Sequence, residues 1–267
     1  MRKILVLLAL SFNLVSVGSE NLNKFDHSHT LLNEVLKENV KPGKVSSLVN
    51  YKALKKNPTK LNNYLKGLET VKKDQFSNFS QEQKLSFWIN AYNAFTIKLV
   101  VQNYPVKSIK DIKHYDKKES SWFSRLNPGA SPWKIKFIKL LGKKHSLDNI
   151  EHGIIRKDFS EPRIHFAVNC ASMGCPSLGN EAFNAANLET LLDKTAKSFV
   201  NNTEKNSFDT SKKVFKASRI FKWYGSDFDK KYGSFVGFIK KIKPELGNLE
   251  EYKISWNEYG WNLNEFK

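Results

Sequence analysis

Cysteine and arginine are scarce in this chain, and no long apolar run occurs after Val17. No cysteine stands directly after that first run, so a lipoprotein anchor is not expected. No later segment is apolar enough to span a bilayer. No run of five or more basic residues occurs, and zinc-finger, basic-zipper and RNA-recognition signatures are missing, so specific nucleic-acid binding is not expected. There is no Gly-rich phosphate loop, no nucleotide fingerprint and no paired-carboxylate signature. Internal repeats and low-complexity segments are also missing.

What is present begins with a signal-like N-terminus. Arg2 and Lys3 precede the apolar stretch Ile4 to Val17, and Val17-Gly18-Ser19 offers a small-residue cleavage site. Residues 1–19 therefore read as a signal peptide, and an exported protein, periplasmic or secreted, is expected. Residues 20–267 suit a single domain with a sizeable core. Six Trp, nine Tyr and nineteen Phe argue for a folded chain. The formal net charge of +18 falls to +16 without Arg2 and Lys3, and lysine carries almost all of it. Such an excess favours an anionic surface as a partner, although evenly spread lysine is also what a solvated surface looks like.

Periodicity and turn chemistry place the elements. Residues 26–70 read as helical with a break at Pro42-Gly43. Gln81 to Asn103 is the clearest helix, N-capped by Ser80 and ended by Tyr104-Pro105. Trp133 to Leu141 alternates apolar and basic residues like a half-wet strand, turned by Gly142-Lys143-Lys144. Ser146 caps a helix from Leu147 to about Arg156. Strands are expected at 163–168, 214–217 and 252–256, and helices at 188–202, 218–224 and 235–243. Helices outnumber strands, which points to an α+β fold, a single globular helix-rich domain with a small mixed or antiparallel sheet.

Chemistry concentrates between residues 151 and 176. Both cysteines lie in Asn169-Cys170-Ala171-Ser172-Met173-Gly174-Cys175-Pro176. In an exported protein the pair suggests a disulfide. Glu151 falls inside the apolar arc of Leu147, Ile150, Ile154 and Ile155, where a carboxylate needs a fixed partner. Arg163, His165 and the cysteine loop are the natural candidates. On a straight strand His165 and Cys170 would stand ~16 Å apart, so His152 is the better base for Cys170, with Cys175 able to approach His165. Arginine is restricted after Arg2 to Arg125, Arg156, Arg163 and Arg219. Arg156 and Arg163 flank the motif, as an anion grip or as structural ion pairs. Asn90 and Asn93 share one face of a buried helix, where they either pin a loop or floor a pocket. Zinc on Cys170, Cys175, His152 and His165 has the right atoms but an unconventional spacing, and neither a metal nor a cofactor is expected.

Several blocks recur in order in one known family. They are Asn50-Tyr51, Phe87-Trp88-Ile89-Asn90-Ala91-Tyr92-Asn93-Ala94, Tyr104-Pro105-Val106-Lys107-Ser108-Ile109, Leu147-Asp148-Asn149-Ile150-Glu151-His152, the Asn169–Pro176 motif and Tyr259-Gly260-Trp261-Asn262-Leu263-Asn264. From about residue 50 to 267 the chain resembles the domain-of-unknown-function family numbered five hundred and forty-seven. The resemblance implies membership and often export, and it supplies no catalytic assignment.

Two functions compete. One is a thiol-dependent hydrolase or acyl transferase. Cys170 would attack, His152 would be the base, Glu151 or Asn169 would orient the imidazole with His165 nearby, and the amides of Ser172–Gly174 would hold an oxyanion. The other is a non-catalytic binding protein whose Cys170–Cys175 disulfide shapes a loop. Glu151, Asn90, Asn93, Arg156, Arg163 and Cys175 would then surround a small-molecule or peptide ligand of the cell envelope, anionic in the simplest version.

Overall fold

The computed structural model describes residues 25–113 and 131–266. The signal peptide expected at 1–19, Arg125 and the turn at Asn127-Pro128-Gly129 lie outside the described residues.

The long helix forms where the sequence says it should. Ser80 and Gln83 make a reciprocal capping box: Gln83 N donates to Ser80 Oγ at 3.2 Å, and Ser80 N donates to Gln83 Oε1 at 2.9 Å. This satisfies two of the amides a helix start leaves open. From Leu85 to Ile97 every side chain is buried, so the helix runs through the protein rather than along its surface. Around it pack helices α1 (Thr30–Asn39), α2 (Tyr51–Lys56), α3 (Thr59–Thr70) and α4 (Lys73–Ser77); the central helix itself is α5 (Gln81–Asn103). A two-stranded ribbon, β1 (Val40–Lys41) with β2 (Leu48–Val49), separates α1 from α2. A hairpin follows, β3 (Ile138–Leu140) with β4 (Lys143–His145).

After the hairpin a π-helical stretch, Asn149–Ile155, runs into the short helix α6 (Arg156–Asp158) and packs on α5. Helix α7 (Leu188–Asn201) precedes the only three-stranded sheet among the described residues. In it β5 (Ser207–Asp209) pairs antiparallel with β6 (Val214–Ala217), and β6 pairs parallel with β7 (Lys253–Trp256). A parallel pair needs a long crossover. Here it contains α8 (Arg219–Tyr224), α9 (Asp229–Tyr232) and α10 (Phe235–Ile242). The fold is one α+β domain with small sheets. Its core has two parts, one around α5 and a phenylalanine-rich one containing Phe166, Phe199, Phe215, Phe221, Phe228 and Phe238.

Two expected strands are corrected. Residues 163–168 are not a strand; Pro162–Phe166 is a 3-10 helix. Pro162 pre-sets its first turn, and Glu161 accepts from Arg163 N at 3.0 Å. The alternation of Arg163 and His165 with Ile164 and Phe166 mimicked a strand, but all four are buried, so it separated no wet face from a dry one. In 133–141 only Ile138–Leu140 is laddered, and Pro132–Lys134 is a 3-10 turn. Lys134 and Lys136 are still exposed between half-buried neighbours, so the in-out reading held without a partner strand. The hairpin turns one residue earlier than expected, at Leu141-Gly142, both at positive φ (51° and 75°), as the mirror-type two-residue turn requires.

Candidate functional site: an aromatic cavity beside a bridged cysteine pair

The cysteine loop is fixed from within and from two sides. Asn169 does most of the internal work: its Oδ1 accepts from Ala171 N at 2.9 Å, and its Nδ2 donates to Pro176 O at 2.7 Å. Asn93 on α5 holds the same place from below, accepting from Asn169 N at 2.8 Å and donating to Ala167 O at 2.9 Å. Ala171 is forced to φ 59°, a left-handed conformation that non-glycine residues rarely adopt. Cys170 and Cys175 are joined by a disulfide with Cα atoms 6.1 Å apart. Lys205 Nζ, buried, donates to the carbonyls of Met173 and Cys175, and burial pushes its pKa down to about 8.

The second side is a strap of residues 259–266. Met173 N donates to Asn262 O at 2.9 Å and Gly174 N to Gly260 O at 2.7 Å. The strap also reaches Ser108, Tyr51 and Ser47 through Trp261 O and the Asn264 side chain. The amides of Met173 and Gly174, expected to hold an oxyanion, are thus already engaged.

Between the loop, the strap and the π-helical stretch lies a cavity of about 260 Å³. Its walls carry six aromatic residues: Tyr92, Trp133, Trp223, Tyr224, Tyr259 and Trp261. Three of the rings form a continuous rim, with Tyr259 4.8 Å from Trp223 and 4.5 Å from Trp261. Both cysteines form part of the wall, and Cys170 Sγ lies 3.1 Å from Ser172 Oγ and 3.3 Å from the Tyr259 hydroxyl.

Residues 76–200 match DUF547, a protein family of unknown function. The expected family is therefore shown over that segment, while the blocks at 50–51 and 259–264 lie outside it. No curated protein and no solved structure matches the chain. The DUF547 segment supplies α5, the π-helical stretch and the cysteine loop. The rest of the wall, Ile220, Trp223, Tyr224, Tyr259 and Trp261, comes from residues beyond it.

Charge inside the cavity is set by the π-helical stretch. Such wide turns are frequent at functional sites, and this one brings Glu151 to the cavity wall. Glu151 is buried, and the phenols of Tyr92 and Tyr224 are its hydrogen-bond partners rather than Arg163. Burial, and then the negative charge of Glu151, push both phenols far above their usual range. Asp148 lines the same cavity, and among the described residues neither carboxylate has an ion-pair partner.

His165 is buried, stacked on Tyr224 with ring centroids 4.0 Å apart, and its Nε2 donates to Asp227 at 2.7 Å. Arg156 grips the same carboxylate in fork fashion, Nε at 2.6 Å and Nη2 at 2.7 Å. Burial alone would raise Asp227, but hydrogen bonds from His165 and Arg156 hold it below the usual carboxylate range. Burial lowers the His165 pKa against the opposing pull of Asp227. With Nε2 donating, Nδ1 carries a lone pair, and it is buried with no partner among the described residues.

Glu151, His152, His165, Cys170 and Cys175 are therefore brought to one cavity. His152 is exposed, and its Nδ1 accepts from Arg156 Nη1 at 3.1 Å. Asn169, Asn90 and Asn93 hold backbone instead. Asn90 clamps Phe183, donating to its carbonyl at 2.6 Å and accepting from its amide at 3.0 Å. Arg163 lies away from the cavity, tied to Glu161, Glu189 and Asp193 at 2.6–2.7 Å. Asp227 and the aromatic wall escaped the sequence reading. Asp227 stands 62 residues from His165 and signals nothing locally. The tryptophan and tyrosine blocks were visible, but not as one surface. Among the described residues no group of three or more His, Cys, Asp and Glu is placed to hold a metal ion.

Proposed function

We propose that this protein is an exported, non-catalytic binding protein. Its Cys170–Cys175 disulfide shapes one wall of a pocket for a small-molecule or peptide ligand of the cell envelope. The observation that carries the reading is the position of the bridge in the wall of an aromatic cavity. A bridged sulfur is no thiolate, and the thiolate is the nucleophile in thiol catalysis. Concave sites walled by aromatic side chains, with a small number of convergent polar groups, are a usual form of ligand site. A disulfide also fits the oxidising compartment that the signal-like N-terminus implies.

A second reading is a thiol-dependent hydrolase or transferase in the reduced state. It is favoured by the hydroxyls of Ser172 and Tyr259 beside Cys170 Sγ, two donors that would stabilise a thiolate once the bridge opens. Thiol labelling of protein exported and purified without reductant separates the two. The binding reading expects no labelled cysteine until reductant is added. Rapid labelling of Cys170 below the ordinary thiol pKa of ~8.5 would instead make it an activated nucleophile.

A further inference from the structure

We infer that the cavity takes an ammonium group, a lysine side chain or a free amino terminus, held by Glu151 and enclosed by aromatic faces. This deepens the pocket reading above and rests on it. Three independent features converge. First, among the described residues the unpaired carboxylates Glu151 and Asp148 line the cavity, while Arg156, the nearest guanidinium on the same helical run, is consumed by Asp227. An anionic ligand would meet two carboxylates and no free guanidinium among the described residues. Second, six aromatic side chains line the cavity, and the faces of such rings attract cations through their quadrupoles. The same aromatic group already holds one ammonium, since Lys110 Nζ sits 3.5 Å over the Trp261 ring. Third, His165, a cavity residue, keeps a buried Nδ1 acceptor with no donor among the described residues. An ammonium brings three donors and no acceptor, which is the complement of a carboxylate and an imidazole lone pair.

The chain as a whole is strongly basic, so the cavity has the opposite sign to its surroundings. Bulk repulsion is screened beyond about 8 Å at physiological salt, whereas a charge in the cavity contacts Glu151 directly. A patch of reversed sign excludes anions and selects cations at short range.

The test is calorimetric titration of the full oxidised protein with four peptides. Two carry an amine: acetyl-Ala-Lys-Ala-amide, and Ala-Ala-Ala-amide with a free amino terminus. Two are controls: acetyl-Ala-norleucine-Ala-amide and acetyl-Ala-Glu-Ala-amide. The expected result is binding of at least one amine peptide about tenfold or more tighter than both controls, as for a charge-assisted hydrogen bond. Which amine peptide binds tells the side chain from the terminus. Glu151→Gln, which keeps the shape, should bring the amine peptide down to the level of the norleucine control. Trp223, exposed at the rim, gives a second variant that leaves the core intact. Trp223→Ala should weaken the amine peptide about threefold or more beyond any change in the norleucine control. If norleucine binds as well as lysine and Glu151→Gln changes nothing, the ammonium inference falls while the pocket stands. If none of the four binds, the pocket reading falls with it.

Discussion

Glycine at position 174 shows how closely the site is fitted. A Cβ added there would stand 2.8 Å from the Tyr259 ring and 2.9 Å from Gly260 N, closer than side-chain carbons approach. Gly174→Ala should therefore destabilise the protein by about 1–3 kcal/mol, because strap and loop cannot both keep their places. Urea unfolding of the two proteins checks it; an unchanged midpoint would show that the strap yields freely. Single residues were legible in the sequence to different degrees. Glu151 stood out because a carboxylate inside an apolar arc demands a partner, although that partner is a pair of phenols 59 and 73 positions away in sequence. Asn90 and Asn93 stood out as amides in a helix buried on all sides, and backbone contacts of Phe183, Ala167 and Asn169 satisfy them. Arg163 was conspicuous by rarity alone, and rarity does not say which anions surround it.

Helix α5 carries Tyr92, Asn90 and Asn93 together, so its position sets that of the cavity floor and of the cysteine loop. Its start is held by the Ser80–Gln83 box. Ser80→Ala should cost about 1 kcal/mol of stability, measured by thermal or denaturant melting, without altering the cavity wall at Tyr92, twelve residues further on. A loss of several kcal/mol would mean that the cap controls more than fraying. Elements with a local chemical cause were readable: the cap of α5, the Ser146 cap whose Oγ accepts from Asn149 N at 3.1 Å, and the β6 strand. The 3-10 helix at Pro162–Phe166 was not, because its alternating pattern arises from burial on every side. Nor was the π-helical stretch, since one widened turn leaves the apolar spacing nearly unchanged.

Across the molecule, two buried histidines govern the response to acid. His29 is buried against the Tyr64 hydroxyl at 2.8 Å, and burial lowers its pKa to about 4. His165 is lowered in the same way. The unfolded chain protonates such groups first, near pH 6.5, so it binds more protons than the native state below that point. Stability is complete above about pH 6.5 and is lost as pH falls towards 4. For His29 alone the loss amounts to about 3 kcal/mol. Melting temperatures from pH 8 to 4 should decline from about 6.5 downward, and His29→Gln, which keeps a polar partner for Tyr64, should flatten part of the decline. A wild-type melting temperature constant down to pH 5 would show that neither imidazole stays neutral. Asp227, held low by His165 and Arg156, adds its own loss below about pH 3.8, where the unfolded chain takes up a proton that the native carboxylate still refuses.

The strap gives the site an order of assembly. Its contacts run to residues made long before it: Ser47, Tyr51, Ser108, Met173 and Gly174. A ribosome builds the chain from its amino end, so α5, the cysteine loop and the hairpin all exist while Tyr259 and Trp261 are still missing. Joining Cys170 to Cys175 spans a short stretch, whereas seating the strap brings together segments separated by up to 217 residues. The bridge can therefore close on a half-built enclosure that is still open on one side.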